Sequence, residues 1–461
     1  MAMKKIYIVT DLGPGDGGKG GVVHAISCLR KPHTILKEGG AQGSHGVVTA
    51  GGERFAFSQF GCGTFEGVAT HLSPRFVATV EGILNEAEAL RYSHGIHNIF
   101  DLLTVDEEVV CATPYHGIAS RLKELARQNK PRGTVGTGVG EAYRYAEHYP
   151  ELTIRARDLR RADLRDLLVA IRDQVRSDLS VLVEGGFLAE DELAAAHELD
   201  RLNDPGFLDY IVQRFQQAAQ WVKVVGRDYL RQIFAREGVI VVERSHGVLT
   251  DRYQGFHPHT SAIRTLPSFT RAMLEEHGYD GAVVSLGVTR AYQIRHGAGP
   301  MPTADERMFE TLLPGSHKEE NRYQGRARVG PLDLPMLRYA IAASGGPSAF
   351  DGLAVTWFDQ IQANGAWQLC HSYWGADNSI YFTFSGELRP RFGDNAVQLM
   401  YQEALGRQLN RCLPEITAHE VPSAASRDEL FDFCAGVLKE QLQVAVRMVS
   451  FGPTERDKVF K

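Results

Sequence analysis

Along the chain, short apolar runs bounded by glycine, proline or charge alternate with longer stretches of helical periodicity. Lys5 to Thr10 alternates and then runs apolar with β-branched residues, and it leads into a glycine-rich loop and a helix-like stretch from Val22 to Leu29. This pattern predicts strand, loop, helix. Further runs at Thr34 to Leu36, Val109 to Ala112, Val239 to Val242, Ala282 to Leu286 and Leu353 to Phe358 read as buried strands with helices between them. The alternation predicts an α/β fold built on a large, mainly parallel mixed sheet with helices on both faces. From 158 to 237 the sequence changes to Leu, Ala, Arg, Asp and Glu without glycine loops, which predicts a set of amphipathic helices inserted into one domain spanning 1–461. Asn364 to Arg391 is aromatic and short-patterned, as a small antiparallel excursion would be.

Composition narrows the function classes. A formal charge of -6 excludes a protein that coats nucleic acid through bulk positive charge, so no nucleic-acid partner is expected. Six cysteines without a CxxC pair indicate neither a disulfide framework nor a zinc knuckle. The N-terminus lacks a signal-peptide pattern and no segment gives about 18 uninterrupted apolar residues, so the expectation is a cytoplasmic protein without a membrane partner.

Three glycine clusters carry the candidate chemistry. Gly13 to Gly21 has the G-x-x-x-x-G-K spacing of a phosphate loop, ending at Gly18-Lys19, but Gly20 stands where Ser or Thr would hold magnesium. Asp16 is then the nearest metal ligand. Gly39 to Gly46 sets Gln42 and His45 on a second loop, and a loop histidine suits proton transfer near neutral pH. Gly133 to Gly140 offers backbone donors with the Thr134 and Thr137 hydroxyls, suited to a phosphate monoester. Farther on, Arg295, Arg326 and Arg328 are candidate clamps for carboxylates or phosphates.

In this order the segments resemble the adenylosuccinate synthetase family, over about Ile6 to Arg456. The family's G-D-E-G-K-G loop is matched by Gly15-Asp-Gly-Gly-Lys-Gly20, and its G-G-H-N-A-G-H-T loop by Gly39 to Gly46. Its G-T-T-x-x-G-I-G-P-A-Y stretch corresponds to Gly133 to Tyr143, and E-G-A-Q-G-x-x-L-D to Glu243 to Asp251. A-Y-x-T-R-V-G-A-G-P-F-P-T corresponds to Ala291 to Thr303, T-K-x-D to Thr356 to Asp359, and S-x-G-P to Ser450 to Pro453.

The resemblance implies a homodimeric ligase that uses GTP and Mg2+ to phosphorylate the 6-oxygen of a purine monophosphate, IMP in the family, and then displaces that phosphate with the amine of aspartate. By position it implies catalytic roles for Asp16, His45 and Lys19. It places the triphosphate and its base on Gly15, Gly17, Gly18, Gly20, Gly43, Ser44, Gly46, Asp359, Ser450, Gly452 and Pro453. The acceptor nucleotide falls to Gln42, Thr134, Val135, His246 and Ser261, and the amino acid to Arg295, Ala298, Gly299, Thr303, Arg326 and Arg328. Asp16 and Gly43 would hold the metal.

The chain departs from the family pattern where the ligands would touch it. Gln42 replaces Asn, Val135 the second Thr, His246 Gln, Glu141 Pro, and Trp357 the lysine of the guanine motif. Three alternatives therefore stay open: a changed acceptor such as a guanine nucleotide or another carbonyl compound, ATP as the donor, and a regulator that binds nucleotide without turnover.

Overall fold

The computed structural model describes residues 4–313, 322–422 and 424–461. Its centre is an eleven-stranded sheet. From one edge the strands run Lys458–Phe460, Val446–Ser450, Gly352–Thr356, Ala282–Arg290, Lys5–Asp11, Val239–Gly247, Thr34–Gly40, Ala69–Thr79, Leu103–Asp106 and Lys223–Val225, and Val110–Ala112 pairs separately with Ala69–Thr79. Every pairing is parallel except that of Lys458–Phe460 with Val446–Ser450. Ile6, Ile8, Val9, Ile35, Leu36, Val241 and Val242 are fully inaccessible because both faces of a parallel sheet are covered by its crossover helices. The mainly parallel α/β architecture expected from the apolar runs is therefore present.

The differences are local. The run Leu353 to Phe358 stops as a strand at Thr356, because Trp357 takes a left-handed backbone (φ 60°) and opens the helix Phe358–Asn364. The 158–237 segment forms the helices Leu164–Glu184, Glu192–Asn203, Pro205–Trp221 and Asp228–Ala235, but it also contributes Lys223–Val225 as an edge strand of the main sheet. The antiparallel excursion pairs Ala366–Trp374 with Leu413–Glu420, a partner outside the expected 364–391 range. No described helix is long and apolar enough to cross a membrane.

This topology gathers loops at one edge of the sheet. The strands ending at Asp11, Gly40, Gly247, Arg290, Thr356 and Ser450 all run parallel, so their C-terminal ends converge on the same side, where open α/β sheets bind ligands.

Candidate active site

Those loops enclose a cavity of about 1280 Å3, room for more than one nucleotide-sized ligand. Arg54, Arg127, Arg132, Arg144, Arg252, Arg290, Arg295, Lys19 and Lys458 line it against the carboxylates of Asp16, Glu124, Glu141 and Asp359. Its walls therefore favour anions.

The first wall is the turn between Lys5–Asp11 and the helix Lys19–Arg30. Asp11 ends the strand buried, and its carboxylate accepts from the Gly13 and Gly17 amides at 2.8 and 2.7 Å and from Lys19 Nζ at 2.8 Å. One carboxylate thus folds the loop and orients the lysine that faces the cavity. The structure also explains the missing Walker hydroxyl: a Cβ at Gly20 would lie 2.5 Å from the Gly46 carbonyl oxygen and 3.1 Å from the His45 Cβ. Only glycine lets this helix approach the second loop so closely.

Asp16 projects from the same turn in a left-handed conformation (φ 58°). Its backbone oxygen accepts from Arg290 Nε at 2.5 Å, and its Oδ2 lies 3.1 Å from His296 Nε2. His296 stands where the family loop quoted above has valine, so the signal for this contact was already in the sequence. Arg290 also stacks on the Trp357 ring, with its guanidinium 4.3 Å from the ring centroid.

The second wall carries a buried relay. His45 Nδ1 lies 2.7 Å from Glu243 Oε1, which also accepts from Lys37 Nζ at 3.0 Å, and Glu243 Oε2 accepts from the Cys62 amide at 2.8 Å. Glu243 and Lys37 are fully inaccessible, and 93% of His45 is covered. Burial would raise the Glu243 pKa, but Lys37 and His45 more than reverse this and hold it far below the usual carboxylate range. Burial, only partly offset by Glu243, lowers the His45 pKa, which favours the neutral ring, with Nδ1–H directed at the carboxylate and Nε2 left for the cavity. His45, Cys62 and Glu243 lie close enough to hold a metal, but the Lys37 ammonium already neutralises the carboxylate.

Gln42 and His246, both departures from the family pattern, touch each other: Gln42 Nε2 lies 2.6 Å from His246 Nε2. The Gln42 amide donates to His246 Nε2, while its carbonyl oxygen is buried without a hydrogen-bond partner among the described residues. Burial and then Lys19 lower the His246 pKa to about 4, which keeps the ring neutral. In the third loop Thr134 Oγ1 lies 2.8 Å from Ser120 Oγ and accepts from the Gly136 amide at 3.1 Å, while Val135 is exposed beside it. Arg121 donates from Nη1 to the Gly136 carbonyl at 2.7 Å and from Nε and Nη2 to the Glu198 carboxylate of the helical segment at 2.6 Å, so that segment braces the site without entering it. Glu141 is buried: burial raises its pKa, and Arg144 and Lys123 together bring it below normal.

At the far end Asp359 and the Ser450, Gly452 and Pro453 turn line the cavity beside Lys458, whose ammonium donates to the Gly452 and Thr454 carbonyls at 2.9 and 2.7 Å. Burial lowers the Lys458 pKa to about 8, against the pull of Asp457 and Asp359.

Most of the residues singled out in the sequence reach the cavity: Gly15, Asp16, Gly18, Lys19, Gly20, Gln42, Gly43, Ser44, His45, Gly46, Thr134, Val135, His246, Ser261, Arg295, Ala298, Asp359, Ser450, Gly452 and Pro453 all line it. Gly17, Gly299, Thr303, Arg326 and Arg328 do not. Arg328 instead donates to the Gly297 and Gly299 carbonyls at 2.8 Å, and Arg295 to Ala298 and His259, so the two brace the 297–299 loop. Burial and then Arg328 lower the Arg295 pKa to about 9. Arg326 is more than half exposed, stacked on Phe309 and 3.4 Å from Glu310. Lys37, Arg290, His296 and Lys458, none of which had been singled out, belong to the site.

The Mg2+ implied by the resemblance has suitable donors. Asp16 offers a carboxylate on the cavity wall, and the Gly43 carbonyl accepts no hydrogen bond among the described residues, leaving room for phosphate oxygens and water in an octahedral oxygen shell.

The adenylosuccinate synthetase family model matches residues 8–459. Adenylosuccinate synthetase from Halobacterium salinarum is 28% identical, with 78% of each chain covered, and that from Methanosarcina barkeri is 26% identical over 98% of this chain and 99% of the relative. Among solved structures, fully ligated adenylosuccinate synthetase from Plasmodium falciparum superposes with a TM-score of 0.75 at 17% identity, covering 99% of each chain. The succinoaminodeoxyadenylate synthetase of cyanophage S-2L, bound to dGMP and to dATP as an energy donor, superposes with a TM-score of 0.59 at 16% identity, covering 99% of this chain and 95% of the phage protein. The chain is a nucleoside-triphosphate-dependent ligase and belongs to the adenylosuccinate synthetase family.

Proposed function

We propose that the chain joins aspartate to C6 of a 6-oxopurine nucleoside monophosphate, IMP in the first instance, through a 6-phosphoryl intermediate. The observation that carries this reading is the convergence in one cationic cavity of Asp16, of Lys19 held from behind by Asp11, and of His45 backed by the buried Glu243 and Lys37. In the first half-reaction the Asp16 carboxylate takes the N1 proton, the 6-oxygen attacks the γ-phosphorus, and the nucleoside diphosphate leaves. Lys19 lowers the cost of charge on the transferring group. His45 takes a proton from solvent at Nε2 as negative charge gathers at the 6-oxygen and donates that N–H to it, and Glu243 holds the resulting imidazolium. In the second half-reaction the amine attacks C6 and phosphate departs with the former 6-oxygen. The Mg2+ held by Asp16 and Gly43 would shield the phosphate charge when bound.

Thr134 and the amides of its loop bind the acceptor's phosphate, with Ser261 at the same wall, while Gln42 and His246 meet its base. Asp359 with Ser450, Gly452 and Pro453 takes the donor's base, and Arg295 and Ala298 lead the amino-acid subsite, whose 297–299 loop Arg328 supports. Gly299, Thr303 and Arg326 would join that subsite only if the loop moved. A homodimer and GTP as donor follow the family.

A second reading, with a guanine nucleotide as acceptor or ATP as donor, is favoured by two observations: the Gln42–His246 pair at the base wall, and Trp357 stacked on Arg290 in place of a lysine. The phage relative of the same fold is bound to dGMP and dATP. The test crosses GTP and ATP against IMP, GMP and dGMP with aspartate and magnesium, reading phosphate release and the succino-adduct by mass spectrometry. Adduct with IMP supports the first reading and adduct with a guanine nucleotide the second; phosphate release without any adduct would overturn both.

A further inference from the structure

Outside the cavity, the helix Lys19–Arg30 presents a second group of ligating side chains. His24 and Cys28 stand one turn apart on the same helix face, with His24 Nε2 3.6 Å from Cys28 Sγ. Glu66, in the turn Thr64–Glu66, joins them so that one ligand atom from each of the three lies within 4.8 Å of the others. Glu455, in the turn Glu455–Asp457, puts Oε2 3.6 Å from His24 Nε2. None of the four lines the cavity.

The spacing suits a tetrahedral ion. With metal–sulfur and metal–nitrogen distances of about 2.3 and 2.0–2.1 Å, the sulfur–nitrogen edge of a zinc tetrahedron is about 3.6 Å and the nitrogen–oxygen edge about 3.4 Å. The His24–Cys28 separation equals the first, and the His24–Glu455 separation exceeds the second by about 0.2 Å. Neighbouring donors orient the carboxylates: the Ala50 amide donates to Glu455 Oε2 at 3.0 Å, and Lys31 Nζ to Glu66 Oε2 at 3.2 Å. Lys31 is 71% exposed and can swing away, unlike Lys37, which is locked into the His45 relay. His24 is almost wholly buried, whereas Cys28, Glu66 and Glu455 each keep an exposed edge through which an ion can enter.

We propose that His24, Cys28 and Glu66, with Glu455 beside His24, form a second cation site, for a soft divalent ion of the Zn2+ class, separate from the catalytic cavity. A thiolate and an imidazole select Zn2+ or Co2+ over Mg2+, so the site discriminates against the metal used in phosphoryl transfer. Binding releases the Cys28 thiol proton to solvent. The ion would pin the phosphate-loop helix to the 64–66 turn, beside the 455–457 turn that follows the Ser450–Pro453 loop. It stiffens the donor end of the cavity without entering it.

The experiment strips the full chain with a chelator and then titrates it with Zn2+ by calorimetry in millimolar Mg2+. A parallel titration with Co2+ reads the near-ultraviolet thiolate-to-metal band. One Zn2+ per chain and a Co2+ band are expected, both lost in Cys28→Ser, weakened about tenfold or more in Glu66→Gln, and kept in Cys62→Ser. These variants spare the buried His24, and circular dichroism confirms their folding. Zn2+ should also raise the melting temperature of the parent chain but not of Cys28→Ser. Absence of stoichiometric Zn2+ binding, undiminished binding in Cys28→Ser, or loss of the band in Cys62→Ser alone would overturn the proposal. None of these readouts depends on the substrate.

Discussion

Gly20→Ala tests whether the phosphate-loop helix and the His45 loop are packed as described. Relieving the 2.5 Å contact between the new Cβ and the Gly46 carbonyl, to the 3.4 Å at which ordinary contact begins, needs a displacement of about 0.9 Å. Part of it must fall on the His45 backbone, which lies 3.1 Å from the same Cβ. Overpacking of this kind costs about 1–3 kcal/mol, against at most about 1 kcal/mol recovered from the better helix propensity of alanine. The net effect is destabilising. A shift of this size at His45 also strains its 2.7 Å contact with Glu243, and a misplacement near 1 Å lowers turnover about 100-fold. Gly21→Ala is the control, because its Cβ would meet only the flexible end of Lys458 at 3.5 Å. Thermal melting and phosphate release are measured on both variants. A Gly20→Ala chain that melts and turns over like the parent would refute the packing argument, whereas losses in Gly21→Ala equal to those in Gly20→Ala would show that helix glycines matter for another reason.

Other perturbations separate the proposed roles. Asp16→Asn should abolish phosphoryl transfer with the fold intact by circular dichroism, and His296→Val, which restores the family residue, should lower kcat about tenfold through loss of the 3.1 Å contact to Asp16; an unchanged kcat in His296→Val would make that contact incidental. Arg295→Leu should raise KM for the amino acid far more than Arg326→Leu, since only Arg295 reaches the cavity, and equal effects would mean that the 297–299 loop rearranges on binding. His71 supplies a pH test: burial, with a smaller push from His277, lowers its pKa to about 3. Between pH 6.5 and 3 the unfolded chain therefore binds a proton that the folded chain refuses, so this histidine's contribution to stability falls with falling pH, by about 2 kcal/mol at pH 5. Glu86, raised to about 7 mainly by burial, works in the opposite sense, so the readout is the difference between the parent and His71→Gln. The gap in unfolding free energy between them should shrink by about that amount from pH 7 to pH 5; a constant gap would place the His71 pKa near its ordinary value.

The parts of the site legible in the sequence are those written locally. The strand, glycine loop and lysine around Asp16 and Lys19 lie within one short stretch, and the loop at His45 is marked by its own glycines. What could not be read is long-range or locally discordant. Ala69–Thr79 is a central strand, yet it holds Pro74 and Arg75, which argue against one. The structure accommodates them because the pairing register with Thr34–Gly40 shifts between Lys37 and Gly39, where Pro74 sits. Lys37 and Glu243 are more than 200 residues apart, and only the parallel pairing of their strands brings them into register. Arg326 is a different case: it was singled out by residue type alone, as a candidate anion clamp, and its side chain lies on the surface. His296 was visible as a change from valine, and its significance needed the position of Asp16.

The central claim is that the oxygen at C6 of the acceptor is phosphorylated and then leaves as phosphate. The direct measurement uses acceptor labelled with 18O at that position, together with the triphosphate, magnesium and aspartate, and reads the label by mass spectrometry after turnover. The account predicts one 18O atom in each released phosphate and none in the succino-adduct. Unlabelled phosphate, released at the rate of adduct formation, would contradict it.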